Sequence, residues 1–175
     1  MQQAQPLAGI VDDVHILLAT DADWIVDEVT AALGGPDTSF TVCNEGRVVC
    51  DVVKDREPDL VITDMQIGSM GGIAVTMALR LDESGGLLPH CNILLLLDRP
   101  VDVHLARRSD ADGWLVKPLD AMRLKRAALA VASGEPYPDG VVSVPAPDDQ
   151  PDTECGDDPK ANVEASAEEE PATAG

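Results

Sequence analysis

The chain has 175 residues, a formal net charge of −20 and 45% hydrophobic residues. This length is sufficient for one ordinary domain with a buried core. The acidic balance disfavours direct binding to nucleic acids or to anionic membranes, because like charges repel. Apolar runs such as residues 93–97 are too short to span a bilayer, and the first residues lack a signal-peptide pattern. We therefore expect a cytoplasmic protein with no membrane span.

The cysteines lie in different sequence contexts and show no metal-type spacing. They are Cys43, Cys50, Cys91 and Cys155. We expect reduced thiols, as in cytosolic proteins, with Cys43 and Cys50 packed as small apolar side chains.

Strand and helix patterns alternate from residue 14 to residue 133. Short apolar runs predict five strands, at residues 14–19, 39–43, 60–63, 93–97 and 113–116. Helical spacing predicts five helices, at residues 24–33, at 45–56, after Gly72, at 101–109 and after Pro118. This alternation is typical of an α/β fold with a parallel, doubly wound sheet. We predict a flavodoxin-like, five-stranded sheet in the order 2-1-3-4-5, with helices on both faces.

Apolar residues at helical spacing predict the buried face of each helix. In the second helix these residues are Val48, Val49, Val52 and Val53. In the third helix they are Met70, Ile73, Met77 and Leu81, and in the last helix Ala121, Leu124, Ala128 and Val131.

The segments outside residues 14–133 differ in character. Residues 1–13 form an N-terminal extension. Residues 134–175 are rich in Pro, Asp, Glu, Ala and Ser and contain few large apolar side chains. Such a segment cannot bury enough surface to offset its ordering entropy, so we predict an acidic disordered tail. The tail would either solvate the domain or act as an acidic partner-binding or autoinhibitory segment.

Charged residues stand at the ends of three predicted strands. Asp64 ends the third strand and is followed by a glycine-rich loop, residues 66–72. Asp21 follows the first strand and Lys117 follows the fifth. In the predicted strand order these three ends surround one crevice, where open α/β sheets carry their functional residues. Two carboxylates and a lysine in that arrangement can hold Mg²⁺ and accept a phosphoryl group.

With these residues assigned, the chain resembles the receiver domains of bacterial two-component response regulators. The resemblance covers residues 14 to about 133, and its motifs are specific when taken together. The matching segments are residues 16–21, 58–64, 70–72 and 111–118.

The resemblance implies a role for each matching residue. Asp64 would accept a phosphoryl group from a histidine kinase or another phosphodonor. Asp21, Asp64 and the backbone carbonyl of Gln66 would hold Mg²⁺, and Lys117 would neutralise the phosphoryl oxygens. Trp114 would be the switch aromatic, and the bond before Pro118 would often be cis.

Three positions depart from the family pattern. Thr20 stands where the family has a first acidic residue, so we expect weaker Mg²⁺ binding. The fourth strand ends in four leucines, residues 94–97, where the family has Thr or Ser, and a hydrogen bond to the phosphoryl group would be lost. Asp98 follows that run, and we expect it to face solvent because it would repel a phosphoryl group. Gly68 replaces the usual loop proline and should soften the loop.

We expect a stand-alone receiver whose output is a protein–protein contact, because residues 134–175 are too polar for a DNA-binding helix-turn-helix. Basic residues gather on the last third of the folded part and form either a docking surface for an acidic partner, a self-association surface or an ordinary solvated face. They are Arg107, Arg108, Arg123, Lys125 and Arg126. The acidic tail could compete for this surface within the chain.

Two other functions compete with phosphoryl acceptance. The first is a degenerate, phosphorylation-independent receiver that acts as an adaptor, which Thr20 and the leucine run favour. The second is an enzyme such as an aspartyl-phosphate phosphatase. Such phosphatases usually place a second aspartate two residues after the nucleophile, where this chain has Gln66, so we expect no enzymatic activity.

Overall fold

The computed structural model describes residues 13–139, and all structural statements concern that part of the chain. Its strands form one parallel sheet in the order β2-β1-β3-β4-β5-β6. The strands are β1 (Val14–Ala19), β2 (Thr38–Cys43), β3 (Leu60–Asp64), β4 (Ile93–Leu97), β5 (Gly113–Val116) and β6 (Tyr137–Pro138). The helices are α1 (Asp23–Leu33), α2 (Val49–Arg56), α3 (Gly72–Ser84), α4 (Val103–Arg108) and α5 (Ala121–Ala132). Single 3₁₀ turns, Gly46–Val48 and Pro100–Asp102, precede α2 and α4.

The predicted doubly wound sheet and its order 2-1-3-4-5 are confirmed. Strands β3 and β4 are buried along their whole length, since helices cover both faces of the sheet. On one face, the strands pack against α1 and α5, and on the other against α2 and α3. None of the helices in residues 13–139 has the length and apolar character needed to cross a membrane.

The third helix buries a different face from the predicted one. Val75 and Leu79 are fully buried, whereas Met77 and Leu81 are exposed. Two apolar series share helical spacing in this helix, and spacing alone does not say which of them faces the sheet. In α2, likewise, Val48 is exposed because it belongs to the preceding 3₁₀ turn.

Residues 134–139, which the sequence assigned to the acidic tail, form part of the sheet edge. Tyr137 pairs with Gly113 and Pro138 pairs with Trp114 along the outer edge of β5. Tyr137 also packs against the apolar core beneath α1 and α5. The low apolar content averaged over residues 134–175 hides this local anchor. The rest of the predicted tail, residues 140–175, and residues 1–12 of the predicted N-terminal extension lie outside the described residues.

The described cysteines are free thiols. Cys43 and Cys91 are buried and Cys50 is half-buried. Burial, followed by the neighbouring Glu83, raises the pKa of Cys91 to about 12. This thiol is therefore unreactive at neutral pH and serves as a packing residue. Cys155 lies outside the described residues.

A half-buried ionic network ties the end of α3 to the starts of β4 and β5. The guanidinium of Arg80 donates to Glu83 Oε1 at 2.7 Å and to Asp112 Oδ2 at 2.5 Å. The amide of Cys91 donates to Glu83 Oε1 at 2.8 Å. Burial raises the pKa of Glu83, but the hydrogen bonds from Cys91 and Arg80 outweigh burial and leave the pKa below its ordinary value.

Glu83→Gln is expected to lower the free energy of unfolding at pH 7 by about 1.5–3 kcal/mol, because charged hydrogen bonds are lost. The lowered pKa means that the folded state favours the ionised carboxylate, so Glu83 stabilises above its unfolded pKa of about 4.3. That stabilisation is lost as the pH falls through the lower folded pKa. Urea unfolding at pH 7 and pH 3.5 should therefore show the difference between variant and wild type shrinking in acid. Glu28→Gln, at an exposed position on α1, is the control, and equal acid losses in all three proteins would contradict the prediction.

Candidate functional site

The charged residues predicted to act together meet at the carboxyl edge of the sheet. Asp64 is the last residue of β3 and is only 2% exposed. Lys117 follows β5, and its amine donates to Asp64 Oδ1 at 2.6 Å. The Lys117–Pro118 peptide bond is cis, as the resemblance implied. The parallel order of β1, β3 and β5 thus brings residues far apart in sequence to one crevice.

Both carboxylate oxygens of Asp64 accept hydrogen bonds. Oδ1 accepts from the Lys117 amine and from the amide of Gln66 at 3.3 Å. Oδ2 accepts from the hydroxyl of Thr20 at 3.3 Å. Thr20 is completely buried, and its hydroxyl also accepts from the amide of Ala22 at 3.2 Å. The position of the family's first acidic residue therefore carries a neutral hydroxyl that is bonded to the aspartate itself.

The charge of Lys117 is held between two carboxylates. Burial lowers the pKa of Lys117, but hydrogen bonds to Asp64 and Asp98 raise it further, and the net pKa lies above its ordinary value. The amine also lies 5.6 Å from the centre of the Trp24 ring. Lys117 is therefore a permanent cation at physiological pH.

Asp98 faces the crevice, and the expectation that it faces solvent is wrong. The Lys117 amine donates to Asp98 Oδ1 at 2.8 Å, and the side chain is 31% exposed. Its Oδ2 is buried and has no hydrogen-bond partner among the described residues. The expectation considered the repulsion between Asp98 and a phosphoryl group but left out the attraction of Lys117. The signal that could have found it is its place directly after β4, at the same edge of the sheet as Lys117.

Asp21 lies beside the glycine-rich loop. It is exposed, and its Oδ2 accepts the amide of Gly68 at 3.1 Å. A proline at position 68 has no N–H and could not make this bond. Gly68 therefore fixes the carboxylate of Asp21, a role that the sequence did not predict.

Trp114 belongs to a neighbouring cluster rather than to the aspartate's contacts. It is 7% exposed and packs with Leu95 and Leu97 of β4 and with Val103 of α4. Its indole Nε1 donates to the backbone carbonyl of Asp139 at 2.7 Å.

Gly72 allows α3 to begin directly against the backbone of Asp64. A Cβ atom at position 72 would lie 2.4 Å from the Asp64 carbonyl oxygen and 2.9 Å from its carbon.

Gly72→Ala is therefore expected to lower the free energy of unfolding by about 1–3 kcal/mol, because backbone atoms must shift. Urea unfolding measures this loss. The control is Gly35→Ala, where the added Cβ would make an ordinary 3.5 Å contact with Thr38. Equal stability of the two variants would contradict the close approach.

The donor set at this edge suits Mg²⁺. The candidate ligands are the carboxylates of Asp21 and Asp64 and the carbonyl of Gln66, all of them oxygen atoms. Mg²⁺ is commonly bound through one or two carboxylates, with water and phosphate oxygens completing the octahedron. Within residues 13–139, no group of three or more His, Cys, Asp or Glu side chains is placed to hold a metal ion. The protein thus offers a sparse site, in keeping with the loss of an acidic residue at Thr20.

Residues 16–129 match the family model described as the response regulator receiver domain. The chain belongs to this family. Within the family, its site differs at Thr20 and at the leucine run of residues 94–97, while Asp64 and Lys117 lie at the expected strand ends.

The receiver domain has relatives with known names and solved structures. It is 30% identical over 125 residues to the DNA-binding response regulator MtrA of Mycolicibacterium paratuberculosis, covering 70% of this chain and 54% of the relative. The chain therefore spans about half the length of this curated relative. The chemotaxis response regulator CheY4 of Vibrio cholerae superposes with a TM-score of 0.60 at 22% identity, over 68% of this chain and 98% of CheY4. RcsB of Salmonella typhimurium gives a TM-score of 0.61 at 15% identity, over 76% of this chain and 65% of RcsB.

The basic residues predicted as a docking surface are partly engaged within the receiver domain. Arg107 lies over the Trp114 ring at 5.9 Å, and Arg123 forms an ion pair with Asp139. Arg108 on α4 and Arg126 on α5 are exposed. Lys125 is half-buried and has an interaction of its own.

Proposed function

We propose that this receiver domain accepts a phosphoryl group on Asp64 and passes the signal on through a protein–protein contact. The observation that carries the proposal is the 2.6 Å hydrogen bond between the Lys117 amine and Asp64 at the crevice of the sheet. Phosphoryl transfer depends chiefly on positioning and charge neutralisation, and both are available here. The donor would be a phosphohistidine of a kinase or a small acyl phosphate.

The transfer step conserves atoms and charge. A carboxylate oxygen of Asp64 forms a bond to phosphorus while the bond from phosphorus to the donor's nitrogen or oxygen breaks. The leaving group keeps the electron pair: acetate leaves as a carboxylate, and the nitrogen of a departing histidine is protonated by the solvent buffer. Asp64 changes from a carboxylate with one negative charge to an acyl phosphate with about two. Lys117, held within reach of Asp64, offsets the added charge.

Mg²⁺ is the implied cofactor, and bound Mg²⁺ would supply charge neutralisation at the phosphoryl oxygens. Asp21, Asp64 and the carbonyl of Gln66 would hold it. The Gly68 amide orients Asp21 for this task. Because Thr20 adds no charge, we propose that this domain needs more Mg²⁺ than a receiver domain with two acidic residues after β1.

The output is proposed to be a contact with another protein rather than a chemical reaction of this domain. Gln66 supports this choice, because phosphatases of aspartyl phosphates use a second aspartate at the equivalent position. Arg108 and Arg126 are exposed basic residues that would attract an acidic partner. Nucleic acid is also acidic, but the net charge of −20 would repel it, so an acidic protein is the favoured partner.

A second candidate is a phosphorylation-independent adaptor. The observation that favours it is the ion pair between Asp98 and Lys117 at 2.8 Å. In this arrangement, Lys117 is already neutralised by two carboxylates, and an incoming phosphoryl group must compete with Asp98. Thr20 adds a further hydrogen bond that holds Asp64 in place.

Intact-mass spectrometry after incubation with acetyl phosphate and Mg²⁺ separates the two candidates. Phosphoryl acceptance predicts a gain of one phosphoryl group in the wild type and none in Asp64→Asn. Asp27→Asn, at an exposed position on α1, is the matched control and should gain the group. If a folded wild type gains nothing even at high Mg²⁺, the adaptor is the better description.

A further inference from the structure

Residues 137–139 fill the hydrogen-bonding edge of β5. The amide of Tyr137 donates to the Asp112 carbonyl at 3.1 Å, and the amide of Asp139 donates to the Trp114 carbonyl at 3.3 Å. An uncovered edge strand would present these groups to any extended peptide. The edge is therefore suited to strand addition, and the chain supplies the added strand itself.

Asp139 accepts hydrogen bonds from three donors, two at its carboxylate, which we call the carboxylate socket, and one at its backbone carbonyl. Its Oδ2 accepts from the amide of Val116 at 3.2 Å and from the guanidinium of Arg123. Its backbone carbonyl accepts from the indole of Trp114. Together the donors recognise one acidic residue that follows an extended segment. In strand addition, main-chain hydrogen bonds give affinity and side-chain sites give specificity, and the charge-assisted bonds to Asp139 form such a side-chain site.

The added strand is short, which makes it replaceable. Among residues 13–139, Tyr137 and Pro138 are the residues that pair with the outer edge of β5. A turn that includes Gly134, with φ of 75°, connects the segment to α5. The short connection gives a high effective concentration, so the segment occupies the edge with few contacts of its own. A longer acidic strand from another protein could make the same bonds and add more.

We propose that the edge of β5, with Arg123 and Trp114, is a docking site for an extended acidic peptide segment. Residues 137–139 occupy this site within the chain and must be displaced by the partner. Arg108 and Arg126, exposed on the flanking helices, would meet further acidic residues of that partner. The proposal rests on the proposed output through protein contact, but it does not require phosphorylation of Asp64.

The test follows the indole N–H of Trp114 by NMR in the full chain, which has two tryptophans. Trp24→Phe assigns the signals. Asp139→Ala is expected to speed exchange of the Trp114 indole N–H with water at least tenfold, because the segment is released. Asp139→Asn, which keeps an acceptor for Val116, should give an intermediate rate. Asp27→Ala, at an exposed position on α1, should exchange as the wild type does. If Asp139→Ala exchanges at the wild-type rate, the carboxylate socket does not hold the segment and the proposal is wrong.

Binding in trans is tested with an acetylated and amidated peptide that has the sequence of residues 134–139. We expect it to shift the Trp114 indole signal of Asp139→Ala at a concentration at least tenfold lower than is needed for the wild type. The same peptide with Ala at position 139 should have no effect. If the acidic and the Ala peptide act equally, or if the acidic peptide leaves Asp139→Ala unchanged, the edge is not an acidic docking site. Each result is independent of Asp64 and therefore does not bear on phosphoryl acceptance.

Discussion

Lys117→Met is expected to abolish phosphoryl uptake and to lower the free energy of unfolding by about 3 kcal/mol. The amine holds Asp64 at 2.6 Å and Asp98 at 2.8 Å, and the Lys117 side chain is only 13% exposed. Without it, two neighbouring carboxylates share a crevice with no cation between them. Removing one partner of a buried ion pair costs far more than the pair itself contributes. Intact-mass spectrometry with acetyl phosphate and urea unfolding measure the two effects.

The control for this variant is Lys54→Met, which removes a lysine whose ion pair with Asp82 lies at the surface. Surface pairs contribute little, so uptake and stability should both stay near the wild-type values. If Lys117→Met were as stable as the control and took up phosphoryl equally well, Lys117 would not be the neutralising cation of this site.

Asp98→Thr is expected to raise the phosphorylated fraction about fivefold to thirtyfold at a fixed, subsaturating concentration of acetyl phosphate. This range corresponds to about 1–2 kcal/mol, a modest part of the repulsion between nearby charges in a protein crevice. The substitution removes a carboxylate that competes for Lys117 and supplies a hydroxyl for the phosphoryl oxygens. Stability should change little, since the lost ion pair is offset by removal of a buried, unpartnered oxygen.

Asp98→Asn separates the two contributions, because it removes the charge without supplying a hydroxyl. We expect its phosphorylated fraction, measured by intact-mass spectrometry, to lie between those of the wild type and of Asp98→Thr. A fall in the phosphorylated fraction in both variants would mean that Asp98 orients Lys117 productively, contrary to the competition described above.

The sequence predicts the sheet and the strand ends well because burial dictates both. Strands β3 and β4 lie under helices on both faces, and a fully buried strand needs a continuous apolar run. Asp64 and Lys117 break such runs at the carboxyl edge, where parallel strands collect their loops. Right-handed crossovers then place the helices on both faces, and 2-1-3-4-5 is one of the common strand orders of doubly wound sheets.

Side-chain direction in loops is less predictable. Asp98 is one residue past β4, and its orientation is set by Lys117, which is distant in sequence and adjacent in space. The exposed series in α3 is a second case, since Met77 and Leu81 have the same spacing as the buried Val75 and Leu79. The close approach of Gly72, at the start of α3, to the backbone of Asp64 exists only in the folded chain, and helical spacing does not contain it.

The strand β6 illustrates a third limit. A two-residue strand carries no periodicity, and the low apolar content of the surrounding segment indicates disorder. What holds it is the unpaired edge of β5 together with Trp114 and Arg123, none of which a local composition average includes. The roles of Asp21, Asp64, Gln66, Lys117 and Trp114 in phosphoryl chemistry stay predictions.

Borohydride reduction of the acetyl phosphate-treated protein, followed by peptide mass mapping, identifies the acceptor. Reduction converts an aspartyl phosphate into homoserine and so marks the residue permanently. We predict homoserine at position 64 and aspartate unchanged at positions 21, 59 and 98. Homoserine at position 98 would contradict the assignment of Asp64 as the phosphoryl acceptor. So would the absence of homoserine from every position of a protein shown to be folded.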